Sequence, residues 1–276
     1  MKLFLNPQWQ NYWRDKDPLA EARALQGKVY RSKEGRRTLR FEQEGRGYFL
    51  KLHEGIGWKE ILKNLAQFRL PVLGAANEFS ACNRLRELGV DTMVPVAFAE
   101  RGCNPAAQVS FLITEELANT VSLEDYCKPW AQQPPTVREK RTVIRKLAQI
   151  SKLLHEHGIN HRDYYLCHFL RADDKRPFKQ HDALYLIDLH RAQIRKSTPR
   201  RWLVKDLAGL FYSAFDLPLT RRDIQCFVSI YRREWLRGDA GILREIADKA
   251  NALYCKDFSR QPPEPIQKIL SSVAVR

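Results

Sequence analysis

Two aspartates draw attention through what surrounds them. Asp163 lies in His161-Arg162-Asp163-Tyr164-Tyr165-Leu166-Cys167-His168, and 25 residues later Asp188 stands in Ile187-Asp188-Leu189. Phosphoryl transfer from ATP needs two carboxylates with separate duties: one orients the acceptor hydroxyl, the other holds the metal on the phosphates. Asp163 fits the first duty. Asp188 ends the apolar run Leu184-Tyr185-Leu186-Ile187, where a carboxylate is costly to bury unless it is paired or bound to a cation. That favours a Mg²⁺ ligand, with a salt bridge to Arg191 or to a lysine elsewhere as the structural alternative. His-Arg-Asp alone recurs by chance in polar turns. A helical segment ahead, Phe169-Leu170 behind and the second aspartate give it meaning.

The same chemistry wants a lysine on the α- and β-phosphates, fixed by a glutamate from the following helix. Lys51 closes the strand-like run Tyr48-Phe49-Leu50-Lys51, and Glu78 lies near the start of the next helical stretch. Taken singly, each reads as a solvated surface residue; in this order, ahead of both aspartates, they read as a pair. His168, five residues after Asp163, occupies the place of a second metal ligand. Mg²⁺ prefers oxygen there, so the imidazole is equally readable as a partner of a phosphate oxygen or of Asp188, or as a packed histidine. Gly35, near Lys33, Arg36 and Arg37, is the single glycine of the turn that could cover phosphates. Side-chain cations could replace the missing backbone donors, and a ligand-free charged turn fits as well. Asp206, opening an apolar helix, either bonds the catalytic-loop backbone or favours a first helical turn.

These residues need a scaffold, and the pattern supplies one. Residues 28 to 52 alternate as a three-strand meander with glycine-containing turns at 32 to 37 and 42 to 47. Phe79, Cys82, Leu85 and Leu88 mark a helix over 75 to 88, stopped by Gly89. Apolar segments follow at 93 to 99 and 109 to 114, then a proline-rich loop at 128 to 135. Thr136-x-x-Glu139 fits a capping box for a helix with Val143, Leu147, Ile150 and Leu154 on one face, ending at Gly158. Further helices are expected over about 203 to 215, 220 to 236 and 242 to 254. Strands first and helices later predict an α+β chain of two unequal lobes: a β-rich N-lobe over 1–117 and a larger helical C-lobe over 118–276.

Composition narrows the setting. At 276 residues and 44% hydrophobic, the chain can bury two cores. It holds no apolar run of bilayer length and starts with too few apolar residues for a signal peptide, so a cytosolic protein is expected. Six cysteines without a Cys-x-x-Cys pair point to reduced thiols, not a zinc or redox site. The net charge of +15 suits nucleic acid, an anionic membrane surface or a polyanionic substrate, and charge alone does not choose. No recognised nucleic-acid motif is present.

With these residues in view, the chain resembles the lipopolysaccharide core heptose(I) kinases, a kinase-like family that phosphorylates the inner core in Gram-negative bacteria. The likeness runs from about residue 19 to 254. It is carried by Gly35-Arg36-Arg37-Thr38-Leu39, Tyr48-Phe49-Leu50-Lys51, Ile113-Thr114-Glu115-Glu116-Leu117, Asn160-His161-Arg162-Asp163, Cys167-His168-Phe169-Leu170 and Ile187-Asp188-Leu189-His190-Arg191-Ala192-Gln193. The segments Leu25-Gln26-Gly27-Lys28-Val29 and Leu70-Pro71-Val72-Leu73-Gly74-Ala75 add to it. The resemblance implies a protein-kinase-like fold and transfer of the γ-phosphoryl of ATP, with Mg²⁺, to O4 of the first heptose. It makes Asp163 the catalytic aspartate and His168 a feature of the family. Lys51, Glu78, Glu115 and Leu117 become nucleotide contacts, and Asp188 with His168 the metal positions. Tyr164-Tyr165 departs from the family's usual Cys-Tyr and leaves the catalytic positions intact. The implied acceptor is lipid A with its inner core, at the anionic inner face of the inner membrane, where a basic protein would associate peripherally. The rival readings are a kinase for another sugar or small molecule and a non-catalytic basic binding module. An acidic protein partner is compatible with the charge, and nothing in the sequence supports one.

Overall fold

The computed structural model describes residues 1–33, 35–66, 73–231 and 240–274. The chain divides into two compact units. Unit 1 comprises Met1–Glu87, Thr92–Ala118 and Leu189–Arg191; unit 2 comprises Leu88–Asp91, Asn119–Asp188 and Ala192–Arg276. Asp91 shows why a short piece before residue 118 counts with unit 2: its carbonyl accepts from Leu186 N at 2.9 Å and its carboxylate from Leu184 N at 3.1 Å.

Unit 1 holds β1 (Lys2–Leu5), α1 (Pro7–Tyr12), α2 (Pro18–Ala24), β2 (Lys28–Lys33), β3 (Arg36–Gln43), β4 (Arg46–Glu54), α3 (Gly57–Ala66), α4 (Ala76–Glu87), β5 (Pro95–Arg101) and β6 (Val109–Glu115). Six strands form one antiparallel sheet in the order β1-β5-β6-β4-β3-β2. The expected meander is β2-β3-β4. Its second turn is tighter than expected, because Gln43 pairs with Arg46 and leaves Glu44 (φ 51°) and Gly45 (φ 72°) as a two-residue loop. Paired positive φ angles match the right-handed twist of the flanking strands.

Strand alternation sorts the faces of this sheet. Leu39 and Phe41 on β3 and Tyr48, Leu50 and Leu52 on β4 are buried against Trp9, Trp13, Leu19 and Ala22 from the N-terminal segment. Lys51, between Leu50 and Leu52, therefore faces the other way. It pairs in register with Leu112, which packs with Ala75, Phe98 and Phe79 where α4 begins. The lysine does not close its strand as expected. β4 continues to Glu54, because Leu52 and His53 are buried and paired with Phe111 and Ser110.

Unit 2 holds β7 (Thr120–Ser122), α5 (Leu123–Cys127), α6 (Val137–Glu156), β8 (Ile159–Asn160), β9 (Phe169–Ala172), β10 (Tyr185–Leu186), β11 (Gln193–Ile194), α7 (Arg200–Tyr212), α8 (Arg221–Tyr231), α9 (Ala240–Phe258) and α10 (Glu264–Ala274). α6 buries the expected face of Val143, Leu147, Ile150 and Leu154. Its capping box forms only by half: Thr136 Oγ1 accepts from Glu139 N at 3.2 Å, while the Glu139 carboxylate takes the Tyr126 hydroxyl instead. Gly158 ends the helix at φ 74°, where any Cβ would meet the Arg195 carbonyl at 1.8 Å. Leu203, Val204, Leu207, Phe215, Ile246, Ala250, Tyr254, Ile266 and Ile269 form the core of α7, α9 and α10. Leu147, Leu207, Leu210, Phe227 and Ile246 are among the residues lining an apolar cavity of about 150 Å³. The six cysteines are free thiols. No helix among the described residues is long and apolar enough to cross a membrane.

Candidate active site

In unit 1 the fold brings Lys51 and Glu78 together. Lys51 Nζ donates to Glu78 Oε1 at 2.6 Å, with the side chains 25% and 2% exposed. A carboxylate this buried needs a partner, and the lysine supplies it from the adjoining sheet face. The second oxygen, Oε2, is buried with no hydrogen-bond partner. Beside them His53 is buried, and burial, with the charges of Arg36, Lys51 and His190, lowers its pKa to about 3. Asn77, one residue before Glu78, donates to the His190 carbonyl at 3.0 Å. This bond ties Leu189–Arg191, the segment directly after Asp188, to α4.

The charged turn between β2 and β3 resolves in part. Gly35 (φ 70°) is held against β4, its carbonyl accepting from Glu54 N at 2.8 Å. Arg37 pairs with Leu52, on the face opposite Lys51, and donates to the Arg23 carbonyl at 2.8 Å, where it caps the end of α2. Arg37 is thus a structural cation, not a phosphate ligand beside Lys51. Glu115 is the last residue of β6, its side chain exposed and its N–H given to the Val94 carbonyl. Leu117 follows it, half-buried.

In unit 2 one buried carboxylate organises the chemistry-bearing segment. Asp206, on α7 and 1% exposed, accepts His161 N at 2.6 Å and Arg162 N at 2.8 Å. Of the two readings open for Asp206, the backbone bond is the one realised. It holds Arg162 at φ 77°, a left-handed conformation that a non-glycine residue keeps only when its surroundings enforce it. The His161 ring is buried, which lowers its pKa and keeps it neutral. Its Nε2 donates to the Ile187 carbonyl at 2.8 Å, so the segment before Asp163 grips the residue before Asp188. Asp188 is itself at φ 60°.

His168 completes this frame. Its Nδ1 donates to the Asp163 carbonyl at 2.6 Å, its carbonyl accepts Ile187 N at 3.0 Å, and its Nε2 stands 3.7 Å from Asp188 Oδ2. Burial opposes its charge, but hydrogen bonds to the Cys167 side chain and the Asp163 carbonyl, with the Asp188 charge, raise its pKa to about 9. Asp163, His168 and Asp188 thus converge in unit 2, as Lys51 and Glu78 do in unit 1.

Among the described residues no group of three or more histidines, cysteines and acids forms a metal cage. Mg²⁺ does not require one: it keeps several waters and binds through one or two carboxylates together with substrate phosphates. The Asp188 carboxylate, 34% exposed, is a donor of that kind. His168 engages the Asp163 carbonyl through Nδ1 and faces Asp188 with Nε2, at a position where Mg²⁺ prefers oxygen to imidazole.

The model of the lipopolysaccharide kinase (Kdo/WaaP) family matches residues 20–231. The lipopolysaccharide core heptose(I) kinase WaaP of Pseudomonas aeruginosa is 51% identical over 258 residues, covering 92% of this chain and 96% of the relative. The protein of the same name from Escherichia coli K12 is 51% identical over 219 residues, covering 79% and 83%. A solved structure titled WaaP in complex with acyl carrier protein matches with a TM-score of 0.80 at 46% identity, over 92% of this chain and 100% of that one. The α+β kinase-like architecture expected from the sequence is the one shared with that structure. Identity near one half along most of the chain, joined to a family match that spans both clusters' key residues Lys51, Glu78, Asp163 and Asp188, makes this chain a member of the lipopolysaccharide kinase (Kdo/WaaP) family.

Proposed function

We propose that the chain phosphorylates the O4 hydroxyl of the first heptose of the lipopolysaccharide inner core, with ATP as phosphoryl donor. The observation that supports this reading is the Asp206-His161-Ile187 frame, which joins the segment leading into Asp163 to the residue before Asp188. Relatives at about half identity are named heptose(I) kinases. Asp163 accepts or orients the proton of the attacking hydroxyl. Asp188 would hold Mg²⁺, which when bound neutralises charge on the phosphates. Lys51 holds the α- and β-phosphates, with its ammonium fixed by Glu78. His168 acts as a positioning residue, through the Asp163 carbonyl and beside the Asp188 carboxylate. Glu115 and Leu117, where β6 ends, are the proposed contacts to the adenine. In this reading 1–117 carries the nucleotide-phosphate residues and 118–276 the catalytic loop and the acceptor-binding surface.

The net charge of +15 supports two further parts of the proposal. It attracts the chain to the anionic inner face of the membrane, where the acceptor is anchored. It also favours an acidic protein partner, as in the related structure solved with acyl carrier protein.

The test is transfer of label from γ-labelled ATP, with Mg²⁺, onto lipopolysaccharide lacking core phosphate. Label on the first heptose with wild type, lost in Asp163→Asn, is the expected result. An unlabelled acceptor with ATP still bound would exclude this acceptor.

A further inference from the structure

Four cations converge on one indole in unit 2. The Trp202 ring centroid lies 4.9 Å from Arg162 Cζ, 5.1 Å from Arg201 Cζ, 5.6 Å from Lys205 Nζ and 6.0 Å from Arg195 Cζ. The fold gathers them from three places. Arg162 directly precedes Asp163, Arg195 follows β11 by one residue, and Arg201, Trp202 and Lys205 belong to the start of α7. The same helix carries Asp206, whose carboxylate holds the Arg162 backbone at 2.8 Å. Arg195 is placed by its own backbone, its N–H donating to the Gly158 carbonyl at 2.9 Å.

An aromatic face attracts a cation through its quadrupole, but four positive charges on a single ring also repel one another. The side-chain partners of Arg195 do not relieve this, because Asn160 Oδ1 at 2.6 Å and Gln193 Oε1 are neutral acceptors. Burial, and then the charge of Arg201, push the Arg195 guanidinium below its ordinary pKa. Arg201 is exposed, while Arg162, Arg195 and Lys205 are half-buried, so the charges are reachable yet only partly screened by salt. Guanidinium groups in such a setting match the planar geometry of carboxylate and phosphate.

We infer that Arg162, Arg195, Arg201 and Lys205, seated on Trp202, form a subsite for an oxyanion of the acceptor glycan, a carboxylate or a phosphate close to the hydroxyl that is phosphorylated. The inference rests on the lipopolysaccharide kinase reading and adds to it the group by which the acceptor is recognised. Arg162 and Asp163 are consecutive in the chain, so an anion seated on the cluster sets the distance between the acceptor hydroxyl and the Asp163 carboxylate. Orientation of this kind is a large part of phosphoryl-transfer catalysis.

The experiment is steady-state transfer from γ-labelled ATP to phosphate-free core lipopolysaccharide by wild type, Arg201→Gln, Arg195→Gln and Arg201→Lys. Arg201 is exposed, so its variants fold; matched circular dichroism and melting confirm this before kinetics. Losing one charge-assisted contact is expected to raise the acceptor KM about tenfold or more. The KM for ATP should stay within about twofold of wild type. Arg201→Lys recovers part of the loss, and the acceptor KM of Arg201→Gln responds less to salt. Two altered acceptors identify the source of the anion, one with its sugar carboxyls reduced and one with its lipid A phosphates removed. The alteration that raises the wild-type KM and abolishes the difference between wild type and variant names the group. Unchanged acceptor KM in both glutamine variants overturns the inference, and so does a deficit that persists on both altered acceptors. Wild-type enzyme that labels no acceptor overturns the kinase reading and this inference with it. Wild-type labelling with unaffected variants overturns the inference alone.

Discussion

Asp206→Asn tests whether one carboxylate holds the catalytic segment in place. The Asp206 oxygens accept His161 N at 2.6 Å and Arg162 N at 2.8 Å inside a site where the residue is 1% exposed. Hydrogen bonds to a charged acceptor contribute about 1.5–3 kcal/mol each, so the pair contributes ~3–6 kcal/mol. Against it stands Arg162 at φ 77°, a backbone conformation that costs a non-glycine residue roughly 1–2 kcal/mol. The carboxylate wins, and the strain persists. Asparagine keeps one acceptor oxygen and turns an N–H₂ towards the other backbone N–H. One bond is lost and a buried donor is stranded, which should destabilise the protein by about 2–4 kcal/mol. Melting should fall by roughly 5–15 °C for a chain of this size. Released from Asp206, Arg162 can relax, and Asp163 moves with it. A displacement of about 1 Å can cost ~10²-fold in rate. We therefore expect kcat for phosphoryl transfer to fall by roughly 10–100-fold with little change in the KM for ATP. Unchanged kcat in the folded fraction would refute the positioning argument even if the protein melted earlier. Stability within about 0.5 kcal/mol of wild type would refute the energetic argument as well.

Two further outcomes follow from unit 1. Glu78→Gln removes the charge that fixes Lys51 at 2.6 Å, and the loss of about 1.5–3 kcal/mol should lower kcat/KM for ATP by roughly 10–100-fold. Unaltered ATP kinetics would show that the pair does not serve nucleotide binding. His53 is buried, so in the folded protein its pKa lies at about 3, while an unfolded histidine titrates near its ordinary value of 6.5. As pH falls below that value the unfolded chain takes up a proton that the folded chain refuses. Stability present at neutral pH is then lost by up to about 1.4 kcal/mol per pH unit from this group. Unfolding free energies at pH 7 and pH 5 should show that slope, and His53→Gln should flatten it. An unchanged slope in the variant would assign the acid sensitivity elsewhere.

The elements most legible in the sequence were those whose signals are local. The meander, α4 and the buried face of α6 follow from periodicity, and Lys51 and Glu78 lie where a strand and the next helix would place them. The N-terminal elements carry signals that are equally local, though they lie outside the periodic segments. Asn6-Pro7 and Asp17-Pro18 are cap-and-first-turn pairs, with Asn6 accepting from Trp9 N and Asp17 from Leu19 N. The aromatic residues they introduce, Trp9 and Trp13, join the core beneath Leu50 and Leu52. The extension of β4 past Lys51 was masked by His53 and Glu54, polar residues that read as a stop until the pairing with β6 buries the histidine. Glu139 misled in the opposite direction, because a tertiary partner, Tyr126, outcompetes the helix N-terminus for its carboxylate.

The active-site frame is illegible for a deeper reason. Asp206 acts on residues 45 and 44 positions away, and what it holds there is main-chain N–H. Every residue except proline offers that donor, so no side-chain type at 161 or 162 announces the bond. The same holds for the His168 bond to the Asp163 carbonyl and the His161 bond to the Ile187 carbonyl. The candidate side chains are therefore named by the sequence, whereas the contacts that hold their segments run through backbone atoms and appear only with the fold. His168 illustrates the consequence. Its ring bonds the Asp163 carbonyl through Nδ1 and stands 3.7 Å from Asp188 Oδ2 through Nε2, so one side chain joins both aspartate segments, and the bond that orients it is to a backbone atom.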